Sequence, residues 1–472
     1  MFSPKKFFIY LAGYFAVRVF TYFFTPVTPL VAGSIVNIIV AVAVLALAMY
    51  WLIKKDWRGW LIVAGEIIFC GSGNMLSVGS VSLRTLLLIA SVGIYFIMSL
   101  REGRRPTKQS LLIFALIIWA GISAFVGYHN HHVLSLIISD FIPYLFLLYY
   151  FPLRDLLHDE KFKREVFNMI AGALIGCGLI TVFTSLMYGF GIFVLQDNYY
   201  HWFRDVCGGK ITDTGANFFR VILNEQLLLV PVALYFITRV KQKIEFVNDM
   251  ALPAAAAILS VNLTRIYYLA LLVGLCFAFT KTLWRRWLIN SAVILLSVFG
   301  WFTFLHVLVG GLANPGWEYF GLRATSIVAP HIEESSLSRM LLLPKILEKI
   351  SSAPIFGTGL GDTVTVWSPV YNELITTPHF DWGYLEILAE MGATGLIIWF
   401  ALIMTAFYHI KSPNGHVICA PLVALLVINI TSPALFHVFG FIFLAIILAH
   451  ASSPQSSSPS HTGEQTRIST AD

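Results

Sequence analysis

Residues 30–58 read LVAGSIVNIIVAVAVLALAMYWLIKKDWR. The run from 30 to 53 carries no charged residue. It is long enough to cross the hydrocarbon core, which takes about 20 apolar residues in a helix. It stops at Lys54, Lys55 and Arg58, with Trp51 and Trp57 alongside. Tryptophan settles at the headgroup level and cations gather on the cytoplasmic side, so this stretch reads as a membrane helix entering the cytosol. The pattern recurs along the chain. Apolar runs predict helices near 7–24, 30–53, 57–78, 82–100, 110–127, 133–151, 165–190, 217–238, 250–263, 266–281, 286–308, 384–410, 416–431 and 434–450. About 12–14 spans follow, with 250–263 and 266–281 at the short limit and open to a re-entrant reading. The expected fold is an all-α polytopic membrane protein.

Composition agrees. The 472 residues are 58% hydrophobic and 12% charged, with a mean hydropathy of +0.78. Soluble domains carry about 25% charged residues. The net charge of +6 therefore reports orientation, and no nucleic-acid partner is implied. The first run, FFIYLAGYFAVRVFTYFF (7–24), follows Lys5 and Lys6 like a signal peptide. It holds Arg18 and lacks a small-residue cleavage site, so a retained helix is expected. Cys70, Cys177, Cys276 and Cys419 lie in apolar runs and Cys207 in a polar loop, without metal or disulfide spacing.

Basic clusters at 54–58, 101–108, 154–165, 239–243, 281–286 and 409–416 fall in alternate connections, with the parity of the N-terminus. The positive-inside rule makes all of them cytoplasmic, both termini included. The chain then divides into membrane helices over 1–308, a periplasmic loop over 309–383, membrane helices over 384–450 and a disordered cytoplasmic tail over 451–472. Two outer connections, about 191–216 and 309–383, far exceed the common length of about 4–6 residues. Within the second, SSLSRMLLLPKILEKISSAPIFGTGLGD (335–362) reads as an amphipathic surface helix, capped by Ser336 or Ser338 and ended by APIFGTG. The GTGLG stretch (357–361) follows no strand and opens no nucleotide-binding unit, so its glycines are expected to serve φ > 0 in a tight turn back toward the membrane.

Arg204, Lys210, Arg220, Arg265, Arg323, Arg339, Lys345 and Lys349 break the charge rule by lying on the outer side. Arg265, in SVNLTRIYYLALL (260–272), is the sharpest case. Burying an arginine at depth costs about 2.5–3.5 kcal/mol on insertion scales, so it faces a cavity or a partner, or snorkels to headgroups. Taken together, Arg220, Arg265, Arg339 and His379 suit a glycosyl-transfer site. Guanidinium forks match phosphate oxygens and stay charged, so they stabilise a departing diphosphate. An imidazole can take the proton of an attacking hydroxyl. Asp381 and Glu390 are the acids that would support this set. Other features have plainer readings alongside functional ones. YHNHH (128–132) could bind a metal but reads first as an outer interfacial turn, and Asp205 and Asp213 lack the local support of a metal pair. Arg18 and Glu66 are intramembrane charges, functional by default or a structural pair that includes Arg84. Tyr199, Tyr200, Trp202, Trp317 and Trp367 stack on sugars or pack their loops.

The motifs carry a resemblance. SLSRMLLLPKILEKISSAPIFGTGLGD followed by TPHFDWGYLEILAEMGATGLIIWF (377–400) resembles the signature region of the bacterial O-antigen ligase and polymerase superfamily. A Ser-x-Arg helix, a Pro-hydrophobic-Phe-Gly-x-Gly-x-Gly turn and a histidine-led helix with Glu-x-Gly-x-x-Gly match at Arg339, Pro354, Phe356, Gly357, Gly359, Gly361, His379, Glu390, Gly392 and Gly395. SVNLTRIYYLALL is similar to an earlier arginine-bearing helix start and supplies Arg265, FFRVILNEQLLLVPVALY (218–235) supplies Arg220, and SVSLRTLLL around Arg84 is similar to an N-terminal feature. Phe380 and Asp381 stand where an asparagine commonly follows the histidine, and Thr264 and Ile266 flank Arg265 where serine and glycine are common. The resemblance implies a multi-pass enzyme of the bacterial inner membrane, using an undecaprenyl diphosphate-linked glycan as donor. The acceptor would be a hydroxyl of a glycan, a lipid A core or another molecule, and transfer would invert the anomeric centre without metal or cofactor. A polymerase of the same superfamily, or an oligosaccharyltransferase acting on protein hydroxyls, would share the donor. A lipid-linked glycan transporter is the rival from another class, and it predicts inverted repeats and helices broken at mid-membrane. The sequence shows no repeat.

Overall fold

A computed structural model describes residues 4–25, 34–101, 107–215, 217–238, 246–279, 284–329, 334–368, 372–378, 380–408 and 416–452. The expected tail from 453 onward and the basic stretches 102–106, 239–245, 280–283 and 409–415 lie outside the described residues. Among the described residues, eight helices are long and apolar enough to cross a membrane: Lys5–Phe24, Ile35–Ile53, Leu83–Leu100, Lys108–His129, Leu134–Leu156, Glu160–Gly189, Trp284–Gly310 and Gly383–Phe407. Five shorter apolar helices join them: Asn224–Thr238, Met250–Asn262, Arg265–Ala278, Ile418–Ile428 and Val438–Ala451. The protein is an all-α polytopic membrane protein. Its polarity is that of a chain dissolved in lipid. Phe23, Ile35, Leu100 and Leu296 are exposed, while Arg18, Glu66, Arg84 and Glu165 are buried.

Arg18, Glu66 and Arg84 each have an opposite charge beside them, which offsets the cost of burying an ion. Arg84 Nε lies 3.1 Å from Glu66 Oε2, and its Nη1 donates to Gly71 O at 3.0 Å. Arg18 does not share that pair. One turn along the first helix from Tyr14, it donates to the Tyr14 hydroxyl at 2.9 Å and pairs with Glu225. The single cluster expected for Arg18, Glu66 and Arg84 is thus two separate pairs.

Three helix readings are corrected. The helix expected over 57–78 stops at Phe69, after which the chain turns through positive φ at Gly71 (+29°) and Gly73 (+82°). The helix expected over 217–238 begins with a strand, Phe219–Ile222, paired antiparallel with Lys210–Asp213. Only then come the 3₁₀ turn Asn224–Leu228 and the helix Leu229–Thr238. A short apolar run rich in Phe, Val and Ile has no period that separates strand from helix. The surface helix runs Glu334–Ser352, so Ser336 and Ser338 lie inside it and cap nothing.

The helix Gly383–Tyr408 is also broken. Gly392 takes φ 67°, ψ −175°, and a Cβ there would lie 2.2 Å from Ile355 O. The turn after Ser352 fills the gap with its own backbone. Thr358 N donates to Ala389 O at 2.8 Å and Gly359 N to Glu390 O at 3.0 Å, while Ala393 N and Thr394 N donate to Pro354 O (2.9 Å) and Ile355 O (3.2 Å). Trp119 Nε1 takes Met391 O at 3.0 Å. Lipid offers no hydrogen bonds, so a helix can open at depth only where protein supplies them. The GTGLG glycines adopt φ +79°, +94° and +77°, as the tight-turn reading requires. At Gly359 there is a second reason: a Cβ would meet Gly127 N at 2.1 Å. Leu342, Ile346, Val364, Phe380 and Ala389 form a small core of their own, which fixes the surface helix against the start of the broken one.

Candidate functional site

Three arginines from separate segments are linked through two hydroxyl groups. Arg220, on the strand Phe219–Ile222, donates Nε to Asn262 O (2.5 Å) and Nη2 to Thr264 Oγ1 (2.9 Å). These acceptors sit at the joint between the helices Phe246–Asn262 and Arg265–Ala278, where Leu263 has φ +52°. Arg265 opens the second helix and donates Nη2 to Ser336 Oγ at 2.7 Å. Ser336 stands one turn before Arg339 on the surface helix, and residues three apart share a face. Arg339 faces Asp381, with Nε 3.9 Å from Oδ2, and its carbonyl accepts from Trp382 Nε1 at 3.2 Å. That Nε–Oδ2 distance is too long for a hydrogen bond. Arg339 Nε is buried and has no hydrogen-bond partner among the described residues. It is a donor left for an acceptor. The Arg339 and Asp381 side chains are 30% and 40% exposed, so the site is reachable from solvent.

Arg220, Arg265, Arg339 and Asp381 therefore form one continuous constellation. His379 lies outside the described residues. Glu390 stands apart from the arginines: it is buried two turns further along the helix, and its Oε1 accepts from Asp362 N at 3.3 Å. Its contact is with the glycine turn.

Several other cations of this side are taken by acids. Arg204 grips Asp205 at 2.7 and 2.9 Å, Lys345 bonds Glu348 at 2.7 Å, and Lys349 bonds Asp362 at 2.8 and 2.9 Å. Asp362 also accepts from Thr358 Oγ1 at 2.7 Å, and His132 Nδ1 meets Leu360 O at 2.9 Å. The end of YHNHH thus fastens the glycine turn. Burial pushes the Cys207 thiol up to about 12, so it stays protonated and packs as a small apolar group. Of the loop aromatics, Trp202 is buried and Tyr199 stacks on Phe193 and Phe203, whereas Trp317 and Trp367 are 58% and 52% exposed. The first two pack their loop; the last two are exposed, Trp317 with its ring edge-on to Phe299.

Sequence reading missed Asn262 and Ser336 as arginine partners and met Thr264 only as a departure from a motif. The one signal available was that Asn262 and Thr264 come just before the arginine at a break between two short apolar runs.

A helical bundle with apolar flanks and a polar constellation at its helix starts is, in class, a multi-pass membrane protein. Residues 250–400 match the family model described as O-antigen ligase, a stretch that holds Arg265, Arg339, the glycine turn and Gly392. Over that stretch, about a third of the chain, the protein is similar to the O-antigen ligase family. Arg220 lies before the matched stretch. No curated protein matches the chain.

Proposed function

We propose that this protein transfers a glycan from undecaprenyl diphosphate to an acceptor hydroxyl at the periplasmic face of the inner membrane, in the manner of an O-antigen ligase. The observation that carries the reading is the linked set Arg220, Arg265 and Arg339, with a buried guanidinium nitrogen of Arg339 that has no hydrogen-bond partner among the described residues. Arginine forks suit the paired oxygens of a diphosphate. In the proposed step the acceptor oxygen attacks the anomeric carbon as the bond to the diphosphate oxygen breaks. The electron pair leaves with the diphosphate, where Arg265 and Arg339, helped by Arg220, stabilise the growing charge. His379 takes the acceptor proton. Asp381, facing Arg339, would hold that fork in place. Attack opposite the leaving group inverts the centre, and no metal is required by this scheme.

The test is transfer in vitro from a synthetic prenyl diphosphate-linked glycan, with EDTA present, by wild type and His379→Ala. Wild type is expected to transfer in EDTA and the variant to lose transfer while still inserting in membranes. Wild-type products from His379→Ala would overturn the catalytic assignment. Glycan analysis of a deletion strain separates the two family activities: loss of a ligase leaves long lipid-linked polymer, and loss of a polymerase leaves at most a single repeat.

A further inference from the structure

We infer that Gln226 and Asn262 are positioning residues for the arginine site, a buried amide pair that sets where Arg220 and Arg265 stand relative to each other. The inference rests on the reading of that site as a diphosphate site. A continuous chain of hydrogen bonds supports it. Arg220 Nη2 donates to Thr264 Oγ1 at 2.9 Å, and the Thr264 hydroxyl donates to Asn262 Oδ1. Asn262 Nδ2 donates to Gln226 Oε1, and Gln226 Nε2 donates to Thr181 Oγ1 at 2.9 Å. A guanidinium can only donate, so the Thr264 hydroxyl accepts from Arg220 and keeps its own proton to give to Asn262, and the two amides continue the relay in the same direction. Thr181, Gln226 and Asn262 are fully buried, where a lost partner leaves a polar group with nothing to bond.

The placement of the pair joins two arginines that are far apart in sequence. Asn262 ends one helix, three residues before Arg265; its backbone carbonyl receives Arg220 Nε and its side chain holds Thr264. Gln226 lies in the turn that follows the Arg220 strand. The adjacent Glu225 is held from the other side by Arg18 and by Tyr14, whose hydroxyl donates to it at 2.9 Å. A shift at either amide therefore moves the Arg220 strand against the Arg265 helix start. For a site that must meet both ends of a diphosphate, that offset is the relevant coordinate, and a misplacement near 1 Å can cost about a hundredfold in rate.

The experiment measures binding of undecaprenyl diphosphate, without sugar, to the full chain in lipid nanodiscs, together with thermal unfolding. Gln226→Met keeps length and removes both hydrogen bonds; Thr264→Val keeps shape at a partly exposed position and breaks the relay beside Arg220. Each is expected to weaken binding about tenfold or more, and the double variant Gln226→Met/Arg220→Ala to bind no more weakly than Arg220→Ala alone, since coupled residues are not additive. If Gln226→Met unfolds, Thr264→Val carries the same test. Wild-type binding by both Thr264→Val and Gln226→Met, or a double whose loss is the product of the singles, overturns the positioning role. Wild-type binding by Arg220→Ala and Arg265→Ala would instead overturn the diphosphate reading itself.

Discussion

The glycine turn and the arginine constellation meet opposite ends of one helix, Glu334–Ser352, and they are finished in opposite ways. At the turn, the backbone groups freed by the break at Gly392 are met by Pro354, Ile355, Thr358, Gly359 and Trp119, and a single added carbon has no room. At the other end, Arg339 Nε has no hydrogen-bond partner among the described residues and its facing carboxylate stands 3.9 Å away. The closed end makes the open end possible. A polar group left wanting costs about 1–3 kcal/mol where it is buried, and it persists only when the frame around it does not relax.

Substitutions at the two ends would break or sharpen this contrast. The largest effect is expected from Gly359→Ala, where the φ of +94° and the backbone of Gly127 both refuse a side chain. The variant should give no monodisperse protein in detergent. Its control is Gly191→Ala, with φ +70° but nothing within 4 Å of the new carbon; there only the conformational term remains, about 1–2 kcal/mol. Equal melting of the two would show that close packing does not define the turn. Next comes Arg339→Gln, expected to lower transfer by about 10²–10³ with melting unchanged, as removal of one stabilising donor from a charge-developing site does. A matching loss of stability would mean that the open end is also structural. Trp119→Phe should lower stability by about 1–3 kcal/mol, by orphaning Met391 O, while the KM of any folded enzyme stays the same. Smallest is Arg204→Ala. Its ion pair with Asp205 is exposed, and such pairs contribute about 0–1 kcal/mol, so neither melting nor transfer should change.

What the sequence made legible follows from how much of the chain each signal averages. Membrane helices such as Ile35–Ile53 declare themselves because some twenty residues agree. The turn glycines were legible because only glycine accepts those angles cheaply. The strand at Phe219–Ile222 was hidden, since so short a segment carries no period, and Arg220 was accordingly placed on a helix. The break at Gly392 was hidden too. Its cause is the Pro354–Gly359 backbone, more than thirty residues earlier, and a hydropathy window does not reach across that distance. Among the site residues, the arginines stood out because charge in an apolar chain is conspicuous. Asn262, Thr264 and Ser336 are ordinary polar residues until the fold brings an arginine to each.

The pairing of Arg18 with Glu225 has a consequence for how the protein is made. The two residues are separated by 207 positions, and at a synthesis rate of about 5–20 residues per second the first helix exists for roughly 10–40 s before its counter-ion leaves the ribosome. Through that interval the nascent first span carries an uncompensated cation toward the bilayer. Its insertion before that point carries the cost of about 2.5–3.5 kcal/mol for an arginine at depth, which the arrival of Glu225 offsets.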